Sequence, residues 1–384
     1  MPRTAVVTND FPPRAGGIET YVERLLAHLD PASVVVHACA PDGGQPGARD
    51  ATAHDARLPY RVVRDPDRTL LPTPALAARV ARTVREHRAE AVWFPSSAPL
   101  GLLAPAVRRA GARRAVASAH GHEVWWARLP GSRTALRRIG DAVDVLTFDS
   151  ASVRRPIASA LSPAAAARMV QLRPGVDADR FAPPGQDTGA DGWGPGGPVV
   201  LCVSRAVPRK GHGRLLDIWP TVLATHPRAR LVLAGSGPLV PGLREKARAL
   251  PGAEVIGRVD DDALAALYAS ADVFVLPVVA RLGGLVTESL GIVLLEAAAA
   301  GMPVVSGRAG GTVEAVLDGR TGALVDAGDA DALTGAVLDV LADPARAREL
   351  GRRGRDWVQR CWGWEGTAQR LAGLLSGSVV SRWS

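Results

Sequence analysis

Short runs rich in β-branched residues alternate with longer stretches of helical period along the whole chain, and the pattern starts twice. The first half carries "TAVVTND", "SVVVHACA", "EAVWFP", "RAVASAH" and "DVLTFDS"; the second carries "PVVLCVSR", "ARLVLAG", "AEVIGRV", "DVFVLP" and "PVVSG". Apolar runs this short, separated by helices, are the mark of parallel sheets covered on both faces. Between the halves lies "PPGQDTGADGWGPGGP", Pro183 to Pro198, dense in Gly, Pro and Asp as a linker is. The expected fold is therefore α/β, with two doubly wound Rossmann-like domains. The first covers residues 1–184, a linker 185–197, and the second 198–360. Residues 361–384 are read as a C-terminal helix that packs back toward the N-terminal domain, with Trp357, Trp362 and Trp364 seating a terminal helix on a core.

Composition agrees with two sizeable cores: 384 residues, 47% hydrophobic and 22% charged. The net charge of +8 is carried almost wholly by Arg, Lys210 and Lys246 being the only lysines. Such an excess suits an anionic partner, whether a phosphate-bearing substrate or an acidic membrane surface. Nucleic acid would fit the charge too, but no recognisable module or aromatic–basic interleaving accompanies it. Three scattered cysteines, Cys39, Cys202 and Cys361, form no CxxC pair. This argues against a disulfide framework or a zinc site and for a reducing cytoplasm. The stretch "MPRTAVVTNDFPP" has too short an apolar run for a secretory signal, and no apolar run is long enough for a membrane span. The expectation is a cytoplasmic protein, peripheral on the inner face of the cell membrane if it meets one. The Arg-rich "RTALRRIG" could dock on anionic lipid or be a solvated helix face.

Four stretches carry chemistry. In "TNDFPPRAGGIETYVERLLAHL", Gly16 and Gly17 open a helix whose apolar face is Ile18, Tyr21, Val22, Leu25, Leu26 and Leu29. Free N–H groups at such a start favour an anion, and the alternative is a turn needed only for chain geometry. In "VSRAVPRKG", Arg205 and Lys210 follow a strand, where doubly wound sheets bind ligands. They are either a diphosphate clamp or a solvated basic loop. "ESLGIVLLEAAAAGMPVV" places Glu288 on a loop and Glu296 in the first turns of a helix starting near Ile292. A carboxylate there suits vicinal hydroxyls; the alternative is two surface glutamates flanking a buried face. In "ASAHGHEVWWARLPG", His120 and His122 follow a strand beside Glu123, with no third metal ligand at a characteristic spacing. A histidine at a strand end in a cleft suits polar contact with a reacting group, or it is a satisfied structural residue.

Taken in order, "GGIETYVERL", "HGHE", "RPGVDADRF", "SRAVPRKG", "GRVDDDALAALYASADVFVLP" and "ESLGIVLLEAAAAGMPVV" resemble glycosyltransferase family 4, retaining enzymes of the GT-B fold with an interdomain cleft. The resemblance runs from Thr4 to about Leu375. Within the family the chain looks most like the actinobacterial phosphatidylinositol mannoside mannosyltransferases that use GDP-mannose.

What the resemblance implies is specific. Glu296 would bind the nucleotide ribose, and Glu288 the transferred sugar. The backbone of Gly291, Ile292 and Val293 would face sugar and diphosphate. Arg205 and Lys210 match the diphosphate clamp, Gly16 and Gly17 add amides from the other domain, and Gly257, Arg258 and Val259 match the segment that holds the base. His120 matches the histidine beside the reacting sugar carbon, so the catalytic set is His120, Glu288, Arg205 and Lys210. On the acceptor side the candidates are Asp10, His122, Trp125 and Asp149; Trp125 and Asp149 depart from the family's usual residues. No metal or other cofactor is obligatory, the nucleotide sugar being a co-substrate. The expected reaction is retaining transfer of a hexosyl group, mannose favoured, from GDP-mannose to a phosphatidylinositol-mannoside-like or inositol-like acceptor. A UDP-sugar enzyme acting on a soluble cyclitol is the alternative, and epimerisation of a sugar nucleotide a different reaction on the same fold.

Overall fold

The computed structural model describes residues 1–14, 16–40, 51–181, 196–281 and 288–378, the side chains of 261 and 262 excepted. The chain forms two compact units: Met1–Gly175 together with the chain from Trp364 onward, and Val176–Gly363. The division at Gly175 falls upstream of residue 184, and most of the expected linker, 185–195, lies outside the described residues.

Unit 1 is a seven-stranded parallel sheet: β1 (Thr4–Thr8), β2 (Val34–Ala38), β3 (Arg61–Arg64), β4 (Ala91–Phe94), β5 (Arg114–Ala119), β6 (Val145–Phe148) and β7 (Met169–Gln171), in the order β3-β2-β1-β4-β5-β6-β7. Five of these match the expected strands. The other two, β3 and β7, are short, half-exposed edge strands whose sequences, RVVR and MVQ, lack a distinguishing apolar run. The register sets Val6 beside Val36 and Trp93. Alternation then divides the sheet between two cores. Val6, Val36 and Trp93 point to one, while Val7, Val35 and Phe94 point to the other. The first core is closed by the helix Gly17–Leu26, through Tyr21, Val22, Leu25 and Leu26, and by the C-terminal helix Trp364–Ser376, through Leu371, Leu374 and Leu375. Each fully buried leucine stabilises this layer by roughly 1.5–3 kcal/mol.

Unit 2 repeats the plan with six parallel strands: β8 (Val199–Val203), β9 (Arg230–Ala234), β10 (Ala253–Gly257), β11 (Val273–Leu276), β12 (Val304–Gly307) and β13 (Gly322–Val325), ordered β10-β9-β8-β11-β12-β13. The first five are those expected; β13 is an additional edge strand. The helical period of "RDWVQRCWGWEGTAQRLAGLL", Arg355 to Leu375, resolves into two helices rather than one. Pro344–Cys361 belongs to unit 2 and Trp364–Ser376 to unit 1, with the break at Trp362–Gly363. The tryptophans divide accordingly. Trp362 is 1% exposed in the core of unit 2, edge-on to Trp357, and Trp364 packs on Tyr21 in unit 1.

In each sheet the strand order reverses beside the first strand, between β1 and β4 and between β8 and β11. Connections on either side of such a point lead to opposite faces, so a crevice opens at the carboxyl edge. In unit 2 the loop entering that crevice is braced from below. His212, 2% exposed, shares a 3.1 Å hydrogen bond between its Nε2 and the Ser204 hydroxyl. Burial and the neighbouring Lys210 ammonium lower the His212 pKa to about 4. The unfolded chain, with an ordinary histidine, takes up this proton first as pH falls. Stability from this group is therefore complete above pH ~6.5 and lost as pH drops toward 4, by about 3 kcal/mol. Thermal melts between pH 7 and 4 should show this acid limb, and His212→Gln, which can still bond Ser204, should flatten it.

Candidate active site

At the carboxyl edge of unit 2, β8 runs into Ser204, whose N–H donates to the Ala234 carbonyl. Arg205 stands exposed; a short turn, Pro208–Lys210, then carries the chain back under the sheet edge. The turn closes at Gly211, in the left-handed region at φ +75°, where a Cβ would lie 2.1 Å from the Pro277 carbonyl oxygen. Only glycine lets this loop lie against the end of β11. The result is a lysine buried to 7% exposure, with Nζ 2.7 Å from Oε2 of Glu288, itself 7% exposed. Arg209 Nε lies 3.9 Å from the same oxygen. The contact with Lys210 is ionic, its angles falling outside hydrogen-bond geometry. A buried carboxylate must be paired, and this one takes its partner from the loop after β8.

Glu288 leads into Gly291, at φ +88°, which caps the helix Ile292–Ala299. The first-turn N–H groups of Ile292 and Val293 lie at the open end of that helix, where the backbone favours an anion. One turn on, Glu296 accepts a 2.9 Å hydrogen bond from the hydroxyl of Tyr268. Tyr268 is 1% exposed, and burial together with Glu296 raises its pKa well above the ordinary tyrosine value. Tyr268 therefore stays a donor and fixes the Glu296 carboxylate. It was not singled out from sequence, because an aromatic in an apolar helix reads as core. Gly257, at φ +81°, ends β10, followed by exposed Arg258 and half-buried Val259. The structure thus gathers Lys210, Glu288, Gly291, Ile292, Val293 and Glu296 around the β8/β11 crevice, and puts the Gly257–Val259 turn two strands away on the same edge.

Unit 1 offers a second polar cluster. Gly16 is extended (φ −179°) and caps Gly17–Leu26; a Cβ there would meet the Glu19 carboxylate at 2.1 Å, so Glu19 folds over this helix start. His120, after β5, donates from Nε2 to the Pro95 carbonyl at 2.8 Å and meets the Tyr21 ring edge-on at 4.9 Å. Burial lowers its pKa, against an opposing pull from Glu123, so the ring is held neutral. Glu123 is fully buried: Oε1 accepts from the Ser97 hydroxyl at 2.9 Å, and Oε2 from the His120 N–H at 3.0 Å. Its Oε1 also lies 3.2 Å from His122 Nε2.

Asp10 and His122 come together, lining a pocket of about 230 Å³ between the loops after β1, β4 and β5. Trp125, 46% exposed, and Asp149, 6% exposed at the end of β6, lie outside that lining. Asp149 instead acts on Tyr21, whose pKa is raised by burial first and by Asp149 second. Among the described residues no group of three or more His, Cys, Asp or Glu is placed to hold a metal ion.

Comparison with known proteins adds an independent line. Residues 15–180 match the family model "Glycosyltransferase Family 4", and residues 197–343 match "Glycosyl transferases group 1". The chain is 48% identical over 385 residues, covering 98% of it and 99% of the relative, to the GDP-mannose-dependent alpha-(1-6)-phosphatidylinositol monomannoside mannosyltransferase of Mycolicibacterium smegmatis. It is 43% identical, over the full length of both chains, to the protein of that name from Mycobacterium tuberculosis. Among solved structures, sucrose-phosphate synthase from Thermosynechococcus elongatus superposes with a TM-score of 0.76 at 24% identity, covering 97% of this chain and 98% of that one, which establishes the fold. With two parallel Rossmann-like units, both family models and relatives matched end to end, this chain belongs to glycosyltransferase family 4 and is a glycosyltransferase of the GT-B fold.

Proposed function

We propose that this glycosyltransferase moves mannose from GDP-mannose to a phosphatidylinositol-mannoside acceptor with retention of configuration. The relatives that are 41–48% identical over nearly their whole length are all named GDP-mannose-dependent, which favours this donor over the UDP-sugar alternative. The sugar of GDP-mannose is α-linked, and the mycobacterial relatives are named for alpha-(1-6) chemistry, so retention is the consistent outcome.

The observation that carries the reading is the buried Lys210–Glu288 pair at the β8/β11 crevice, beside the open end of the helix that carries Glu296. The largest cost in glycosyl transfer is charge building on the departing diphosphate. An ammonium held out of water and a helix N-terminus both oppose that charge, and both are fixed before reaction. In this reading Lys210 and exposed Arg205 hold the diphosphate, and the Ile292 and Val293 amides complete its cradle. Glu296, steadied by Tyr268, takes the ribose hydroxyls. Glu288 accepts from the transferred sugar, and the turn Gly257–Val259 holds the base. Gly16 and Gly17 offer amides to the donor, and the neutral His120 contacts the sugar at its reacting carbon. The acceptor belongs to unit 1, at Asp10 and His122.

Removing one member of the buried pair costs about 3–5 kcal/mol of stability, because the other is left uncompensated. Lys210→Ala and Glu288→Ala should each cut turnover by a factor on the order of 10² or more. The double variant K210M/E288Q removes both charges together; it should melt near the wild-type temperature and still lack turnover. Near-normal turnover in either single variant would refute the assigned roles. For the donor, turnover of GDP-mannose beside UDP-glucose and UDP-N-acetylglucosamine should favour GDP-mannose by at least about tenfold, and NMR of the product should show an α linkage.

The same reading takes the enzyme to a lipid-bearing acceptor at the inner face of the membrane. No helix among the described residues is long and apolar enough to cross a bilayer. Unit 1 does expose Trp125, Arg128 and Leu129 just ahead of the helix Pro130–Ala142, and Arg137 and Arg138 of that helix are exposed too. Exposed arginines of this kind favour anionic headgroups, and an aromatic beside them suits the interface. Co-sedimentation should be stronger with acidic vesicles than with neutral ones, should weaken with salt, and should fall in R137E/R138E.

A further inference from the structure

The loop after β8 carries three cations, Arg205, Arg209 and Lys210. Arg205 and Lys210 make the proposed diphosphate clamp, and Arg209 has no task in it. Its place is specific. Among the described residues, Lys210 and Arg209 are the only cations within 4.0 Å of the Glu288 carboxylate. Both approach the same oxygen, Oε2, with Lys210 Nζ at 2.7 Å and Arg209 Nε at 3.9 Å. That oxygen is buried and accepts no hydrogen bond among the described residues; Arg209 Nε is buried too and donates none. An unmatched donor and an unmatched acceptor thus stand about 1 Å beyond hydrogen-bond distance. The main chain on either side is tied down. The Arg209 carbonyl accepts from the Val279 N–H at 2.9 Å, and the Glu288 carbonyl from the Gly311 N–H at 2.9 Å. The Arg209 side chain, 27% exposed, keeps room to turn.

We propose that Arg209 is a positioning residue for the donor: when the diphosphate draws the Lys210 ammonium away from Glu288, the Arg209 guanidinium closes on the carboxylate and replaces it as counter-ion. The inference rests on the reading of Lys210 as a diphosphate ligand. A diphosphate carries more negative charge than one carboxylate and attracts the ammonium more strongly. Glu288, at 7% exposure, would then be a buried charge without a partner. Such a charge either takes up a proton or pulls the lysine back. The first outcome weakens the acceptor that holds the transferred sugar; the second takes the cation from the leaving group. An arginine suits the exchange, because its planar fork meets a carboxylate with two parallel N–H groups. The free enzyme needs Lys210 opposite Glu288, and the donor complex needs Arg209 there.

The test titrates the full chain with GDP, which carries the diphosphate, and follows melting with and without it. Arg209→Gln removes the charge and keeps a polar side chain. The free variant should melt near wild type, since Lys210 already pairs Glu288 there. GDP affinity should nevertheless fall about tenfold, the order of one charge-assisted hydrogen bond, and the GDP-induced rise in Tm should shrink with it. Turnover of GDP-mannose should show a lowered kcat, and Arg209→Lys, which keeps the charge, should recover most of each loss. In a Glu288→Gln background no carboxylate is left to neutralise, so adding Arg209→Gln should change GDP affinity no further. Three results would each overturn the proposal: GDP affinity unchanged in Arg209→Gln, a lower Tm of the free variant with an undiminished GDP shift, or the full loss persisting beside Glu288→Gln. The last would put Arg209 on the diphosphate itself. The melting comparison needs only the Arg209 variants, so it decides the matter even where Glu288→Gln does not fold. GDP affinity unchanged in Lys210→Ala would sink the diphosphate reading and the proposal with it, so the two failures are distinguishable.

Discussion

Both candidate clusters exist because a doubly wound parallel sheet has one place where its connections part. On either side of β1/β4 and of β8/β11 the crossovers lead to opposite faces, and the loops at the carboxyl edge cannot close over the gap. Strands buried on both faces fix the positions of the loop ends. In β1 and β4 every residue is buried, so the loops that begin at Asn9 and Pro95 have little freedom at their origin. The pocket of unit 1 and the Lys210–Glu288 pair of unit 2 occupy equivalent crevices in two sheets of the same construction.

What distinguishes the crevices is how each treats a buried carboxylate. Glu288 is matched by an ammonium, a pairing whose cation is then available to a more highly charged ligand. Glu123 is matched by neutral donors, a hydroxyl and a backbone N–H, and by an imidazole that borders the pocket. A third buried acid, Asp65, serves structure alone. Arg79 grips it with two hydrogen bonds of 2.7 and 2.9 Å, and His37 lies 3.1 Å away, tying the end of β3 to β2 and to the helix Pro74–His87.

Neutral histidines recur beside these acids for a common reason. His37, His120 and His212 all have lowered pKa values, with burial as the leading cause. Each is therefore held neutral rather than charged.

From the sequence alone, ten of the thirteen strands among the described residues were legible, because a buried parallel strand needs a compact β-branched run and nothing else needs one in that place. The helix starts at Gly17 and Ile292 were equally legible from glycine placed against an apolar period. So were the positions of Arg205, Lys210 and His120 after strands, of Glu288 ahead of a helix start and of Glu296 in that helix's first turns, together with the family they point to. The short strands β3, β7 and β13 were not legible, since at a sheet edge pairing with a neighbour, rather than a run's own composition, makes a strand. Nor was the break at Trp362–Gly363, where one amphipathic period serves two different cores. Partnership was decided only in three dimensions: that Glu288 meets Lys210, that Tyr268 holds Glu296, and that Glu123 accepts from Ser97 and from the His120 N–H. Periodicity tells which side of an element is buried. Which charge or proton stands opposite depends on loops that meet only when the strands are laid side by side.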